Sequence, residues 1–444
     1  MPAGEGKSSS PERFLAQWME PGARAEWNTL KHVLVHEPGI EVFFALLSPG
    51  AHLYERFFNH HEARWEHRQL CDLLHNSFGV RIHHLKTTLM EEAGEPGPIR
   101  DLLVSMACRR LADDRTSVTF PGRDKEPDGP GEEVPLDERD PEHLFRIVVL
   151  NPGLGRGRGG HVRLISPLHN LYFMRDQQAA TDRGICMGRM ATHERSEEVE
   201  VSALGLRALG VEPAHQVSRG RFEGGDFLPA GDFALVGCGS RTNQDGVRDL
   251  LDGGMGFDEV GVVREPRHPL ITGRDHMVNM HLDTYLNFPK EGVAVGSPVL
   301  LKEAKVTVFN RSGEGYARSG DGGTLLEYLR VKGFDLIEIT TLEQLCFSTN
   351  FLSVRNGSCI TPDASALAPL MLRRLSEKAQ ADPGKYGRLL AQAEHDYQIL
   401  RTDAEFFPHK KGVYAHGLEM TTLLLTNATG GYGGAHCMTC VIAR

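Results

Sequence analysis

The sequence predicts an α/β protein built from many short strands, and three observations lead to this fold class. Near the start of the chain, residues 30–36 alternate as a strand, residues 52–77 carry apolar side chains at helical spacing, and residues 80–85 form a second strand. From residue 162 onward, short apolar runs alternate with turns and helices. The chain also has 49 glycines among 444 residues, which is above average and indicates many tight turns.

The elements after residue 162 follow one another in a mixed order. Each predicted strand is a brief apolar run bounded by turn residues, which is typical of a buried strand. The strands are predicted at 185–188, 233–237, 293–296 and 359–361. The helices are predicted at 193–209, 243–252, 323–332 and 365–376. Short strands separated by helices favour a mixed α/β domain.

Residues 89–165 differ from the rest in composition, and we interpret them as an insertion that is partly helical and partly disordered. Helices are predicted at 99–111 and 142–150. Between them, residues 121–141 are acidic and rich in proline and glycine, which predicts a mobile surface loop. The glycine run at 153–160 lacks the Gly-Lys-Ser/Thr ending of a phosphate-binding loop, so it predicts a flexible basic loop instead.

Composition limits the domain count and excludes several classes of protein. We expect a flexible tail at 1–28 and one domain at 29–444. The 49 Lys and Arg against 59 Asp and Glu give a formal net charge of −10, which argues against a general nucleic-acid-binding protein. Eight cysteines are too few for a secreted module built on disulfides. The N-terminus lacks a secretory signal and no apolar run approaches the ~20 residues of a membrane helix, so we expect a cytoplasmic protein with no membrane partner.

Four segments place polar residues where a pattern of strands and turns would otherwise have apolar ones. They are Asn170-Leu171-Tyr172-Phe173-Met174-Arg175-Asp176, Phe222-Glu223-Gly224-Gly225-Asp226-Phe227, His281-Leu282-Asp283 and Gly433-Gly434-Ala435-His436-Cys437-Met438-Thr439-Cys440. Taken singly, the first three have structural interpretations. Asp176 can pair with Arg175 at the surface, the second segment can be an acidic turn, and His281 with Asp283 can be a structural pair on one strand face.

The fourth segment contains two cysteines at the spacing of half a zinc site or of a redox pair. Neither a second pair of cysteines nor a histidine follows Cys440 at zinc spacing, which disfavours a metal site. His61-Glu62 similarly lacks the final histidine of a metalloprotease helix motif.

Taken together, the four segments indicate one kind of chemistry. A cysteine nucleophile needs a thiolate and a partner for proton transfer, and histidine suits that task near neutral pH. A nearby glutamate orients the histidine and favours its charged form. Two further aspartates make the pocket anionic, and carboxylates hold a guanidinium through parallel hydrogen bonds. The residues therefore predict attack by sulfur on a guanidinium carbon.

These four motifs, in this order, resemble those of the arginine deiminases of the guanidino-group-modifying (pentein) superfamily. The resemblance extends from the strand at 30–36 to Cys437. It implies a pentein-type α/β propeller, with five ββαβ-like units around a central pocket and an inserted helical segment. It also implies a hydrolase that acts on the C–N bonds of linear amidines, with no metal or organic cofactor. The implied partner is a small guanidino substrate, and a homo-oligomer is left open.

The resemblance also assigns roles to individual residues. It makes Cys437 the nucleophile, His281 the general acid and base, and Glu223 its partner in the pocket. Asp176 and Asp283 would bind the guanidinium. The residues implied to surround the rest of the substrate are Asn170, Phe173, Arg195, Arg241 and Asp226, with Arg189 as an alternative to Arg195.

The implied reaction converts L-arginine and water into L-citrulline and ammonia through an S-alkylthiouronium on Cys437. One departure from the family concerns the substrate. Arginine deiminases commonly have an arginine five positions before the nucleophile, whereas this chain has Tyr432. A tyrosine offers one hydrogen bond and no charge to a substrate carboxylate. Deimination of another guanidino compound, amidine transfer to an amine, and binding of a guanidino ligand without catalysis therefore remain as alternatives.

Overall fold

The computed structural model describes residues 19–47, 54–111, 136–153, 163–164, 167–253, 255–313 and 315–444. Most of the predicted loop at 121–141, the glycine run from 154 and residues 1–18 of the predicted tail lie outside these ranges.

The described chain contains nineteen strands, most of them only four to six residues long. In chain order they are β1 (His32–Val35), β2 (Arg81–His84), β3 (Pro152–Gly153), β4 (Arg163–Leu164), β5 (Gln178–Thr181), β6 (Gly184–Met187), β7 (His215–Gln216), β8 (Phe227–Ala230), β9 (Phe233–Cys238), β10 (Glu259–Arg264), β11 (Leu286–Lys290), β12 (Val293–Gly296), β13 (Lys305–Ser312), β14 (Gly315–Thr324), β15 (Asp335–Glu338), β16 (Leu352–Arg355), β17 (Ser358–Pro362), β18 (Glu419–Leu423) and β19 (Cys440–Ala443).

The α-helices of the described chain connect these strands. They are Ile40–Leu46, His60–Phe78, Leu85–Glu92, Pro98–Leu111, Pro141–Leu150, Ser196–Ala208, Gln244–Gly253, Pro298–Glu303, Leu325–Val331, Thr341–Leu345, Ala364–Ala381, Pro383–Asp403 and Lys411–Ala415. No helix among the described residues combines the length and the apolar character needed to cross a bilayer.

Five of the sheets share one topology, in which an antiparallel pair of strands is extended by a third, parallel strand. The three-strand orders are β19-β1-β2, β5-β6-β7, β8-β9-β10, β11-β12-β15 and β16-β17-β18. At least one helix lies between the second and third strand of each unit, as a parallel connection requires. These are five ββαβ units, so the predicted fold class is confirmed. The hairpin β13–β14 extends the third sheet at the edge of β10.

The first unit takes its strands from opposite ends of the chain. β19 lies antiparallel to β1, with Ala443 opposite His32, and β2 runs parallel to β1 on its other side. All four residues of β19 are buried, as are those of β5 and β8. The first strand of each of these three units therefore lies in the interior, and the turn that leads into it lies there too.

The structure differs from the sequence prediction for the first long helix. We predicted it at 52–77, but it begins at His60, because the side chain of Asn59 accepts hydrogen bonds from the backbone N–H groups of His61 and Glu62. Phe57 and Trp65 are among the apolar residues of the range 52–77 that suggested one buried helix face, but both are exposed. Its C-terminal end agrees with prediction, since Gly79 follows it with a left-handed backbone at φ 68°.

Several elements were not predicted at all. The helix Leu85–Glu92 directly follows β2 without a turn residue, and Pro383–Asp403 follows Ala364–Ala381 after one residue. The hairpin β13–β14 was missed because β14 is polar and rich in glycine, which hides the alternation of a strand. The predicted helices of the insertion agree with Pro98–Leu111 and Pro141–Leu150. The division of the chain into a tail, one domain and an insertion stays a prediction.

Residues 19–28 pack against the fold, although we predicted them as part of a flexible tail. The Gly22 N–H donates to the Ile442 carbonyl at 2.8 Å, and the Glu26 N–H donates to the Pro229 carbonyl at 3.0 Å. Trp27 is buried and its ring lies 6.1 Å from that of Phe288. This segment thereby connects the first, third and fourth units.

Candidate active site

The turn before the first strand of each unit contributes polar side chains to one buried cluster. In two of these turns the chain forms a short 3-10 segment, Gly224–Asp226 directly before β8 and Leu282–Thr284 shortly before β11. The residues contributed are Asp176 before β5, Glu223 before β8, His281 and Asp283 before β11, Asn350 before β16 and Cys437 before β19. All six are buried. The five-fold repetition of the unit thus explains how positions far apart in sequence meet.

His281 and Glu223 form the closest pair in this cluster. His281 Nε2 lies 2.7 Å from Glu223 Oε2, which also accepts a hydrogen bond from Arg241 Nε at 2.9 Å. The other oxygen, Oε1, accepts from the Ala191 backbone N–H at 2.8 Å. Gly225 is required beside this pair, because a Cβ there would lie 2.8 Å from His281 Nδ1. Glu223 is therefore held by three donors and orients the imidazole.

The electrostatics of the cluster keep His281 charged. Burial alone lowers the pKa of His281, but the charge of Asp176 and the hydrogen bond to Glu223 raise it overall to about 9. Burial likewise opposes ionisation of Glu223, but Arg241 and His281 hold the pKa of that carboxyl well below its ordinary range. At neutral pH the pair is an imidazolium and a carboxylate.

Arg195 lies against two buried carboxylates. Its Nη1 donates to Asp176 Oδ2 at 2.7 Å, and its Nε donates to Glu198 Oε2 at 2.9 Å. Its Nη2 points to the Asn170 carbonyl at 3.4 Å. Arg189, the alternative to Arg195, is exposed and donates to the Ser218 carbonyl outside the cluster. Of the two arginines, the structure therefore places Arg195 at the site.

The sulfur of Cys437 lies between a carboxylate and an amide. Its S–H donates to Asp283 Oδ2 at 3.5 Å, and Asn350 Nδ2 donates to the sulfur at 3.1 Å. Burial raises the pKa of the Cys437 thiol well above its ordinary value, and the charges of Asp283 and Asp176 raise it further. In the absence of an added cation, Cys437 is therefore a thiol at neutral pH.

Asp283 is held in place by a chain of ion pairs that runs behind the sulfur. His436 Nδ1 lies 2.8 Å from Asp283 Oδ2, and His436 Nε2 lies 3.4 Å from Glu26 Oε1. Arg444 Nη2 donates to Glu26 Oε2 at 2.7 Å. Burial raises the pKa of Asp283, but His436 outweighs it and lowers that pKa overall. Asp283 is consequently ionised beside the thiol.

A small cavity lies beside these groups, and most of the predicted site residues line it. It encloses about 10 Å³, roughly the volume of one water. Its walls include Asn170, Phe173, Asp176, Arg195, His281, Cys437 and Tyr432. Four buried polar atoms of this region have no hydrogen-bond partner among the described residues, namely Asn170 Oδ1, Asp176 Oδ1, Asp283 Oδ1 and Arg241 Nη2. Three of these atoms are acceptors, so the site is suited to a donor-rich cation.

Asp226, which we predicted among the substrate-binding residues, lies beside His281, and its contact with substrate stays a prediction. Its Oδ1 accepts the Leu282 backbone N–H at 3.0 Å, which holds the turn after His281. It lines a second cavity of about 10 Å³, on a wall shared with Arg241 and His281 but not with Cys437. Burial raises the pKa of Asp226 to about 6. Asp226 therefore holds the turn at His281 and faces a cavity that Cys437 does not line.

The cluster also meets the geometric requirement for a metal ion. One ligand atom each from Asp176, Glu223 and His281 lie within 4.8 Å of one another. In this arrangement Glu223 Oε2 and the imidazole bond each other, and Asp176 pairs with Arg195. A metal ion at this position would have to displace these partners, whereas an organic cation can use the unpaired oxygens that remain.

Three residues of the site were missed from the sequence. Asn350 carries no motif of its own, yet it occupies the turn before β16, as Asp176 does before β5. That equivalence was the available signal, and it needed the five-fold repeat to be recognised first. Glu26 and His436 were missed because their partners come from opposite ends of the chain.

Comparisons with known proteins identify the family of this chain. A model of the arginine deiminase family matches residues 154–444. The arginine deiminase of Halobacterium salinarum is 26% identical over 95% of this chain and 96% of its own length. The arginine deiminase of Oenococcus oeni is 26% identical over 48% of this chain and 55% of its own. An amidinotransferase of saxitoxin biosynthesis from Microseira wollei shares the fold, with a TM-score of 0.51 at 10% identity, over 96% of this chain and 97% of that one. The chain belongs to the arginine deiminase family and is a hydrolase of guanidino C–N bonds.

Proposed function

We propose that this protein hydrolyses L-arginine to L-citrulline and ammonia through a covalent intermediate on Cys437. The family match over residues 154–444 supports the reaction class. The similarity to the Halobacterium salinarum arginine deiminase supports the substrate, because it extends over nearly the whole of both chains.

One observation carries the proposal. Asp283 contacts the sulfur of Cys437 through Oδ2, and Asp176 lines the same cavity as Cys437. The other oxygen of each carboxyl group, Oδ1, is buried without a hydrogen-bond partner among the described residues, with Asp176 Oδ1 lying 3.7 Å from His281 Nδ1. An unpaired buried acceptor costs about 1–3 kcal/mol, so a ligand that donates to both stabilises the site. A guanidinium is planar, carries up to five N–H donors and holds a carbon electrophile at its centre. Bound between the two carboxylates, it presents that carbon to the sulfur.

The first half of the reaction uses the charges described above. The substrate cation offsets Asp176 and Asp283, which lowers the pKa of the thiol and lets its proton leave through Asp283. The thiolate then adds to the guanidinium carbon and forms a tetrahedral adduct. His281 is already an imidazolium, so it protonates the departing nitrogen, and ammonia leaves. An S-alkylthiouronium cation remains on Cys437, and His281 is neutral.

The second half restores the enzyme. Neutral His281 takes a proton from water as its oxygen adds to the thiouronium carbon. The adduct collapses as the C–S bond breaks: the electron pair returns to the sulfur of Cys437, and the hydroxyl loses its proton to become the carbonyl of the product. That proton passes through Asp283 back to the sulfur and restores the thiol. The product carries a urea group in place of the guanidinium. The hydrogen bond from His281 Nε2 to Glu223 holds the ring in place through both proton transfers.

The test is incubation of the purified protein with L-arginine, with citrulline and ammonia measured separately. We expect equal amounts of the two products, and a mass increase on the Cys437 peptide in acid-quenched enzyme. Ammonia without citrulline, or no turnover, contradicts the proposal.

A second candidate is deimination of a guanidino compound other than arginine. Arg195 is engaged with Asp176 and Glu198, and Tyr432 brings no charge to the cavity wall. Arg241 Nη2, on the guanidinium that bonds Glu223, is a buried cationic donor without a hydrogen-bond partner among the described residues. Turnover of agmatine, which has no carboxylate, in preference to L-arginine would favour this candidate. Formation of a new guanidino compound from added glycine or ornithine would instead indicate amidine transfer.

A further inference from the structure

The amide of Asn350 makes three contacts with the turn that carries the nucleophile. Its Oδ1 accepts the backbone N–H of Gly434 at 2.7 Å and that of Cys437 at 3.1 Å. Its Nδ2 donates to Cys437 Sγ at 3.1 Å. The two backbone donors determine the orientation of the amide, because a flipped side chain would direct its NH₂ group at them. Nδ2 must therefore face the sulfur.

The backbone around Asn350 is held as firmly as its side chain. Asn287 Nδ2 donates to the carbonyls of both Thr349 and Phe351, at 2.9 Å each. The Asn350 carbonyl accepts the His436 N–H at 3.1 Å, and its own N–H donates to the Phe347 carbonyl at 2.9 Å. Asn350 has no exposed surface. The amide is thus fixed before any ligand arrives.

The surroundings of the sulfur give this donor its importance. Among the described residues, Asn350 is the one group that donates a hydrogen bond to Cys437 Sγ, since the contact with Asp283 has the sulfur as donor. The titratable groups around the sulfur are Asp176, Asp283, His281, His436 and Tyr172. The two aspartates oppose a negative charge on the sulfur, whereas the hydrogen bond from Asn350 favours it.

We propose that Asn350 is a catalytic residue that stabilises the thiolate of Cys437 through its Nδ2 donor and aims the sulfur through its Oδ1. The effect of Asn350 on turnover rests on the proposed function. The hydrogen bond to the sulfur is already present in the free enzyme, so its effect on the thiol can be measured without substrate. The fifth unit thereby contributes to the chemistry, as the other four do.

The experiment measures alkylation of Cys437 by iodoacetamide at pH 8 in the absence of substrate. The modified Cys437 peptide is quantified by mass spectrometry, because Cys108 is exposed and also reacts. Asn350→Ala removes the donor without adding a charge, whereas Asn350→Asp keeps both acceptor contacts, removes the donor and adds a negative charge. Its ionised carboxylate is held by the two N–H groups. We expect alkylation of Asn350→Ala to be about 10- to 100-fold slower than that of wild type, since a hydrogen bond to a charged group shifts a pKa by roughly one to two units. Asn350→Asp should also be slower.

Asn287→Ala is the matched control, because it loosens the same turn and leaves the Asn350 amide intact. We expect a lower Tm for this variant and an alkylation rate within about threefold of wild type, below the tenfold that one pKa unit represents. The proposal is overturned if Asn350→Ala or Asn350→Asp reacts as fast as wild type. It is also overturned if Asn287→Ala is slowed as much as Asn350→Ala, since the role would then be structural.

The result is independent of the substrate. If wild type fails to release citrulline from L-arginine while Asn350→Ala still slows alkylation, the proposed function fails and the role of Asn350 stands. If citrulline forms and alkylation is unaffected by the substitution, the function stands and the role of Asn350 is wrong.

Discussion

His281 Nε2 and Glu223 Oε2 lie 2.7 Å apart, with both side chains buried and Arg241 bonded to the same carboxylate oxygen. This arrangement makes the histidine an acid in the resting enzyme. Its pKa of about 9 means that it starts the reaction with a proton to give. The proton of the Cys437 thiol must therefore leave by another route, and the contact of the thiol with Asp283 provides one.

Glu223→Gln is expected to move the alkaline limb of ammonia release to lower pH. The amide removes a negative charge and a charged acceptor, so the pKa of His281 falls from about 9 toward its ordinary value. Less imidazolium is then present at pH 8 to protonate the leaving nitrogen. The measurement is the pH profile of kcat for ammonia release. Glu194→Gln, on the exposed surface beside the site, should leave the limb in place. An unchanged limb in Glu223→Gln would show that Glu223 does not set this pKa.

Cys437→Ala should abolish turnover of L-arginine, whereas Cys440→Ala should retain most of it. Cys437 contacts Asp283 and Asn350, while Cys440 begins β19 and its thiol contacts the Val441 carbonyl. Both side chains are buried, so the two substitutions are matched in kind. Steady-state assays and mass analysis of the acid-quenched enzyme check this. If Cys440→Ala were the inactive variant, the nucleophile would be wrongly assigned.

Arg195→Ala should destabilise the protein by about 3–5 kcal/mol in chemical denaturation, the cost of breaking a buried ion pair. It leaves Glu198 and Asp176, both buried, without their shared cation. Arg189→Ala is the control, and at an exposed position it should change the free energy of unfolding by less than about 0.5 kcal/mol. Adding Glu198→Gln to Arg195→Ala should recover part of the loss. Equal stability of the two single arginine variants would contradict the structural role of Arg195.

Tyr432→Arg is expected to lower KM for L-arginine and to leave KM for agmatine unchanged. Tyr432 lines the cavity with a backbone φ of 71°, and an arginine there would bring a cation toward the substrate carboxylate. Tyr432→Gln removes the aromatic ring without adding a charge, so it should not lower KM for L-arginine. Steady-state kinetics with both substrates check this. Equal effects of both substitutions would show that removal of the ring, and not the added charge, changes binding.

The four sequence motifs predicted most residues of the candidate site. Glu223, His281 and Cys437 stand in short, distinctive segments, and the structure brings them together with Asp176 and Asp283. The mixed α/β class followed from many short strands, because four of the five ββαβ units are local in sequence, whereas the five-unit arrangement was implied by the family resemblance. Only the first unit is not local, since β1 and β19 are distant from each other.

The residues that sequence reasoning missed depend on contacts between distant segments. Asn350 looks like an ordinary turn residue until Cys437 is placed against its amide. Glu26 stands in a segment whose composition suggested a flexible tail, and its burial comes from pairing with Arg444 and His436. Asp226 shares a motif with Glu223, but its bond to the Leu282 N–H and its place in a cavity without Cys437 depend on the fold and could not be read from that motif. Neither periodicity nor spacing reports such long-range geometry.

The pairing of β19 with β1, which completes the first unit, has a consequence for the order of folding. Contacts between distant segments cost more chain entropy and generally form late in folding. Cys437 lies just before β19, so its thiol meets Asp283 and Asn350 only when this last pairing is made. A nascent or partly folded chain therefore carries an inert cysteine. The onset of activity during refolding should report completion of the fold, not its early steps.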